Sequence, residues 1–151
     1  MKKAISRRAA FKKITGLWAL AIAQRSFGLF GFFKNKDNEL EPDASGRVKL
    51  SLKNVSYQQL MNNGSSVKVE IKGLGKPLIL IRKNKDSVLA ISSKCTHLGC
   101  EVSLPHNGII NCSCHGAEFK PDGTVVKGPA KQNLKKFRTE VDNKEITIFL
   151  K

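Results

Sequence analysis

The chain has few acids and few aromatics. Across 151 residues, 12 Asp and Glu stand against 27 Lys and Arg, and Trp18 and Tyr57 are the only residues of their kinds. A formal net charge of +15 would suit a nucleic-acid binder if it were spread over a folded surface. It is not: Lys2, Lys3, Arg7, Arg8, Lys12, Lys13, Arg25, Lys34 and Lys36 all precede the first acid, Asp37, so the excess belongs largely to a leader and no nucleic-acid partner is expected. The remainder is still basic, which fits an acidic protein partner or anionic lipid headgroups through long-range steering. Cysteine is absent outside one short stretch holding Cys95, Cys100, Cys112 and Cys114. That confines any thiol chemistry to one place. The even count is compatible with disulfides in an exported protein or with a metal site in any compartment. Internal repeats, low-complexity tracts and any long helical period after the leader are also missing. This length has room for one domain and a short appendage.

The leader has a recognisable order. Ser6-Arg7-Arg8-Ala9-Ala10-Phe11-Lys12-Lys13 precedes the apolar run from Ile14 to Ala23, an arrangement similar to a twin-arginine export signal. The family's aromatic slot is filled by Ala10, with Phe11 next. Ala21-Ile22-Ala23 reads as a cleavage site, whereas Gly28-Leu29-Phe30-Gly31-Phe32-Phe33 prolongs the apolar stretch and favours a retained anchor. Arg25 within a span would cost about 2.5–3.5 kcal/mol, so 14–33 makes a poor membrane helix, and the basic residues ahead of Ile14 would keep that end cytoplasmic. The expected organisation is a twin-arginine-like signal or anchor over 1–34, a flexible linker over 35–47 and a globular domain over 48–151. The head would stand on the periplasmic, outer face of the inner membrane, or be soluble in the periplasm if the signal is cleaved.

Beyond the linker the pattern is that of strands. Val67, Val69 and Ile71 alternate with Lys68, Glu70 and Lys72, the period of a half-buried strand. Leu78–Ile81 and Val88–Ile91 flank Asn84-Lys85-Asp86, and Phe137–Val141 and Glu145–Leu150 flank Asp142-Asn143-Lys144, so two hairpins are predicted. The fold class is all-β, a sandwich or small barrel.

The chemistry lies in two boxes, Cys95-Thr96-His97-Leu98-Gly99-Cys100 and Cys112-Ser113-Cys114-His115-Gly116. Each offers a thiolate, an imidazole and a spare cysteine. Two soft thiolates and two borderline imidazoles can satisfy zinc or divide between the irons of a cluster. A structural zinc module would leave two of the six groups unused, and C-x-H is tighter than the usual zinc knuckle.

The boxes resemble the C-T-H-L-G-C and C-P-C-H-G motifs of high-potential Rieske proteins, the iron-sulfur subunits of quinol-oxidising cytochrome bc complexes and their photosynthetic relatives. The resemblance implies a Rieske-type antiparallel β-sandwich with a cluster-binding subdomain, preceded by an N-terminal hydrophobic helix. It also implies one 2Fe-2S cluster, with Cys95 and Cys112 on the inner iron, His97 and His115 on the outer iron, and a disulfide from Cys100 to Cys114. Leu98 and the loop Gly128-Pro129-Ala130 would cover the cluster; the family's loop continues with a second proline where this chain has Lys131. By the same resemblance a membrane quinol would hydrogen-bond to His115, with His97 as the other exposed ligand. The electrons would pass to a cytochrome b-like subunit and to a c-type cytochrome or similar acceptor. Such a protein is an electron-transfer subunit rather than a stand-alone enzyme. High-potential members carry a serine and a tyrosine whose hydroxyls bond to cluster sulfurs; here those positions hold Ala117 and Phe119, which implies a lower potential and a menaquinol-like donor.

A second reading is the small Rieske subunit of an exported, arsenite-oxidase-like molybdenum enzyme, where no quinol is touched. A Rieske oxygenase is excluded because its second iron needs two further histidines, and only His106 remains.

Overall fold

The computed structural model describes residues 39–151. Nine strands follow one another: β1 (Arg47–Ser51), β2 (Ser66–Val69), β3 (Leu78–Asn84), β4 (Ser87–Ser92), β5 (Ile110–Cys112), β6 (Ala117–Phe119), β7 (Val125–Lys127), β8 (Lys136–Asp142) and β9 (Glu145–Phe149). All named pairings are antiparallel. They form a six-stranded sheet in the order β1-β9-β8-β4-β3-β2 and a three-stranded sheet in the order β5-β6-β7.

Both predicted hairpins form. β3 and β4 turn at Lys85-Asp86, where the Arg82 guanidinium donates to the Lys85 carbonyl at 2.6 Å, and β8 and β9 turn around Asn143 in the left-handed region. The alternation at Val67 and Val69 becomes β2, both side chains buried. One element had no signature in the hydrophobic period, a 3-10 helix over Val55–Met61. It is capped by Asn54, whose side chain accepts from the Ser56 N–H, and it inserts Tyr57 and Leu60 into the core.

Part of the stretch expected to act as a linker is fastened to the domain. Leu40 bridges Ile71, donating to the Glu70 carbonyl and accepting from the Lys72 N–H, each at 2.9 Å. The Asp43 carboxylate then accepts from Ser45 and Arg47, closing the turn into β1. Backbone groups without partners are costly away from water, so an apolar residue such as Leu40 settles against a sheet edge that can pair it. The signal or anchor over 1–34, its hydrophobic helix and the linker's first residues lie outside the described residues. Among the described residues no helix is long and apolar enough to cross a membrane.

Two cores share one wall. Leu78 and Leu80 of β3 pack with Val48, Leu50, Ile146 and Ile148, while Ile79 and Ile81 pack on the other side with Ile110, Phe119, Cys95 and Cys112. This double burial explains why β3 reads as a continuous apolar run rather than an alternation. The three-stranded sheet and the two boxes are thereby seated on the outer face of β3 and β4. Leu80→Ala and Ile79→Ala, one in each core and both fully buried, are each expected to cost about 2–5 kcal/mol. Urea titration followed by circular dichroism checks this, and a single transition in both variants is the expected form.

Candidate metal centre

The two boxes are the tips of two arms. The first is closed at its base by an antiparallel bridge between Lys94 and Glu101, and the second is the loop of the β5–β6 hairpin, closed by the pair Cys112 and Ala117. Inside both, the same turn is made. The Gly99 N–H donates to the Cys95 carbonyl and the Gly116 N–H to the Cys112 carbonyl, each at 2.9 Å. Each glycine ends its turn in the left-handed region, at φ +79° and +73°, which a side chain would strain. A cysteine followed by a glycine four residues later is thus the frame common to both boxes.

A third turn brings the arms together. Asn107 and Gly108 are both left-handed (φ 49° and 76°), as in the I′ turn that Asn-Gly favours. Around it the chain folds back on itself. His106 and Ile109 exchange backbone hydrogen bonds, and Ser103 exchanges two with Asn111, one through its hydroxyl. Counted outward, Cys100 lies seven residues before Asn107 and Cys114 six after Gly108, so the fold-back sets them nearly opposite. They are joined as a disulfide with Cα atoms 6.5 Å apart.

The pairing leaves Cys95 and Cys112 as free, buried thiols, each 2% exposed. Burial pushes the Cys95 thiol up, against the pull of the His97 N–H directed at its sulfur; the Cys112 thiol beside it pushes the same way as burial, and the Leu98 N–H also pulls down. The imidazoles of His97 and His115 meet edge to face, centroids 4.8 Å apart and planes at 86°. His115 is exposed and His97 half-buried. The Nδ1 atom of His97 is buried and makes no hydrogen bond to the protein. Buried ring nitrogens are normally satisfied, so this atom fits a ligand position. Two neighbouring thiols and two contacting imidazoles, carried on the same paired arms, suit a mixed sulfur and nitrogen metal centre.

The remaining expected residues divide. Leu98 is 70% exposed, and Gly128 and Pro129 are exposed on the neighbouring loop, joined by a cis peptide bond. Ala130 packs into the second core, which also holds Cys95 and Cys112. His106 sits on its own turn, exposed, apart from the other two. Sequence reading missed the supports. The Thr96 hydroxyl donates to the Gln132 carbonyl at 2.6 Å and ties the first arm to the Pro129 loop, while Glu101 pairs with Lys68 of β2 and holds that arm to the large sheet. Asn107-Gly108 carried a readable turn signal; the other two contacts are tertiary and have none.

Residues 52–138 match the model of the Rieske 2Fe-2S domain. The chain belongs to the Rieske 2Fe-2S domain family. This Rieske chain is 36% identical over 100 residues to the cytochrome b6-f complex iron-sulfur subunit 1 of Synechocystis sp., covering 62% of this chain and 55% of that protein. Against the cytochrome b6-f complex iron-sulfur subunit of Chlorobaculum tepidum it is 32% identical over 71 residues, 46% of this chain and 39% of that one. It therefore spans about half the length or less of these curated relatives. Among solved structures, the cyanobacterial plasma membrane Rieske protein from Synechocystis PCC 6803 superposes with a TM-score of 0.50 at 29% identity, over 65% of this chain and 93% of that one. Membership of the family brings with it a Rieske-type 2Fe-2S cluster and the antiparallel β architecture. The expected Cys100–Cys114 disulfide is present.

Alkylation of oxidised protein stripped of metal should label Cys95 and Cys112 alone, with Cys100 and Cys114 appearing only after reduction. Cys100→Ala should lower stability by about 2–4 kcal/mol and speed loss of cluster absorbance. Peptide mapping and the absorbance decay check both.

Proposed function

We propose that Cys95, His97, Cys112 and His115 hold the 2Fe-2S cluster, cysteines on the inner iron and histidines on the outer, and that the protein passes single electrons from a membrane quinol to a cytochrome. The observation that carries this is that the paired arms bear two neighbouring buried thiols and two edge-to-face imidazoles. The cluster supplies one-electron chemistry, with two neutral imidazoles in place of thiolates raising the potential into a range of about −150 to +300 mV.

The chain's own residues do the rest. The buried cysteines keep water from the sulfur end, and the N–H groups of His97 and Leu98 offer hydrogen bonds to the Cys95 sulfur. His115, exposed, can accept the hydrogen bond of a quinol hydroxyl at its outward nitrogen and take up the proton as the electron leaves. Leu98 presents an apolar surface to the quinol ring. The partners on this reading are a cytochrome b-like subunit and a c-type cytochrome, with the head on the outer face of the membrane and residues 1–34 as its anchor. The relatives named above are subunits of cytochrome complexes, which does not favour a role beside a molybdenum enzyme.

Ala117 and Phe119 are both fully buried in the second core with Cys95 and Cys112, and neither carries a hydroxyl. Hydrogen bonds to cluster sulfurs stabilise the added electron, so their absence favours a lower potential and a menaquinol-like donor. An EPR-monitored redox titration tests the centre and its potential together. It should give a rhombic signal of the reduced protein with an average g below the free-electron value, lost in His97→Ala and His115→Ala. The midpoint should lie below the top of the Rieske range and rise in Ala117→Ser and Phe119→Tyr. A silent protein holding stoichiometric zinc would end the reading; a midpoint at the upper limit would end the hydroxyl argument alone.

Attachment through the N-terminal segment is checked by fractionation. The native protein should stay with salt-washed membranes, and recovery of the whole population as a soluble form beginning at Gln24 would exclude the anchor.

A further inference from the structure

Some of the charges around the site are matched and others are not. Glu101 pairs with Lys68 and lies 3.9 Å from Lys76, and Glu118 pairs with Lys127 at 3.1 Å. The Asp122 carboxyl is held below its usual range chiefly by the Thr124 N–H and hydroxyl, with Lys136 and Lys120 adding their charge. Lys94, Lys131 and Lys135 remain, all exposed and with no carboxylate in ion-pair range among the described residues. Lys94 and Lys135 line one open hollow of about 480 Å³ together with His97, Leu98 and Gln132, and Lys131 directly precedes Gln132.

Two of the lysines, Lys94 and Lys135, have contacts that position them. A side chain at Gly99 would come within 3.1 Å of the Lys94 Cε, so the bare glycine is what lets the Lys94 stem lie along the first box. The Lys135 ammonium sits 4.8 Å from the centroid of the Phe137 ring. Leu98, 70% exposed, lines the same hollow as Lys94 and Lys135. An apolar centre with a charged rim is the usual anatomy of a protein interface.

We propose that Lys94, Lys131 and Lys135 form the docking surface for an acidic electron acceptor, a c-type cytochrome with carboxylates around its haem edge, on the His97 side of the centre. This rests on the electron-transfer reading above and names the partner's chemistry. One electron crosses, the ferric haem iron becomes ferrous as the reduced protein is oxidised, and no bond is made or broken. Complementary charge steers such an encounter and fixes its orientation more than it adds affinity. Anionic lipid would meet the same lysines, but a headgroup seated there would cover the imidazole that must face the acceptor, so a protein partner fits better.

Carbodiimide cross-linking of the full-length, cluster-containing protein to an acidic c-type cytochrome tests the surface, with a basic c-type cytochrome as control. Cross-links should map to Lys94, Lys131 and Lys135 at low salt, fade as salt rises, and be absent with the basic cytochrome. In Lys131→Glu and the Lys131→Glu, Lys135→Glu double variant the association rate at low salt should fall about tenfold or more, with the EPR signal and midpoint unchanged. Unchanged association, or cross-links confined to other lysines, would overturn the proposal while leaving the cluster reading intact. So would a double variant that stops pelleting with phosphatidylglycerol vesicles yet still binds the cytochrome, which would assign these lysines to lipid. Loss of the EPR signal in the wild-type protein would overturn both.

Discussion

The arms that carry Cys95, His97, Cys112 and His115 are held face to face by a fold-back around Asn107-Gly108 and by one covalent bond across it, and the proposed site depends on that pairing. Neither arm has much support of its own. The strands behind the second box are three residues each, and the first box is closed by one bridge between Lys94 and Glu101 and leans on outside ties at Thr96 and Glu101. Short strands of this kind are marginal when isolated. The disulfide limits how far the arms can separate in the unfolded chain, and the exchange between Ser103 and Asn111 keeps them in step.

The large sheet supplies the second half of the support. Because β3 is apolar on both faces, Ile79 and Ile81 present a hydrophobic floor to the arms while Leu78 and Leu80 close the core beneath. Burying both faces makes the two halves interdependent. A cavity opened under Leu80 loosens the same strand whose opposite side packs with Cys95 and Cys112, and core packing transmits such strain rather than absorbing it.

Much of this was legible in the sequence, and for identifiable reasons. The boxes were readable because donor identity and spacing are local, and the hairpins because turn residues and alternation are local too. What was not legible depended on distance. Nothing in the run around Leu40 announces that it pairs with Ile71, nothing marks Thr96 as a partner of Gln132, and the pairing of Glu101 with Lys68 spans thirty-three residues. The 3-10 helix was missed because its seven residues are too few to show a period, although Asn54 supplied a capping residue.

The gradient of exposure across the site has a consequence of its own. The free thiols lie at the closed end, Cys95 and Cys112 each 2% exposed, and the imidazole rings at the open end, with His115 exposed. A conductor so arranged has one bare terminal and a sheath of protein around the rest. On the proposed reading both histidines share that terminal, their rings in contact, so a donor and an acceptor would have to use it in turn. Such a domain would enforce order between two exchanges by offering them a single, narrow contact.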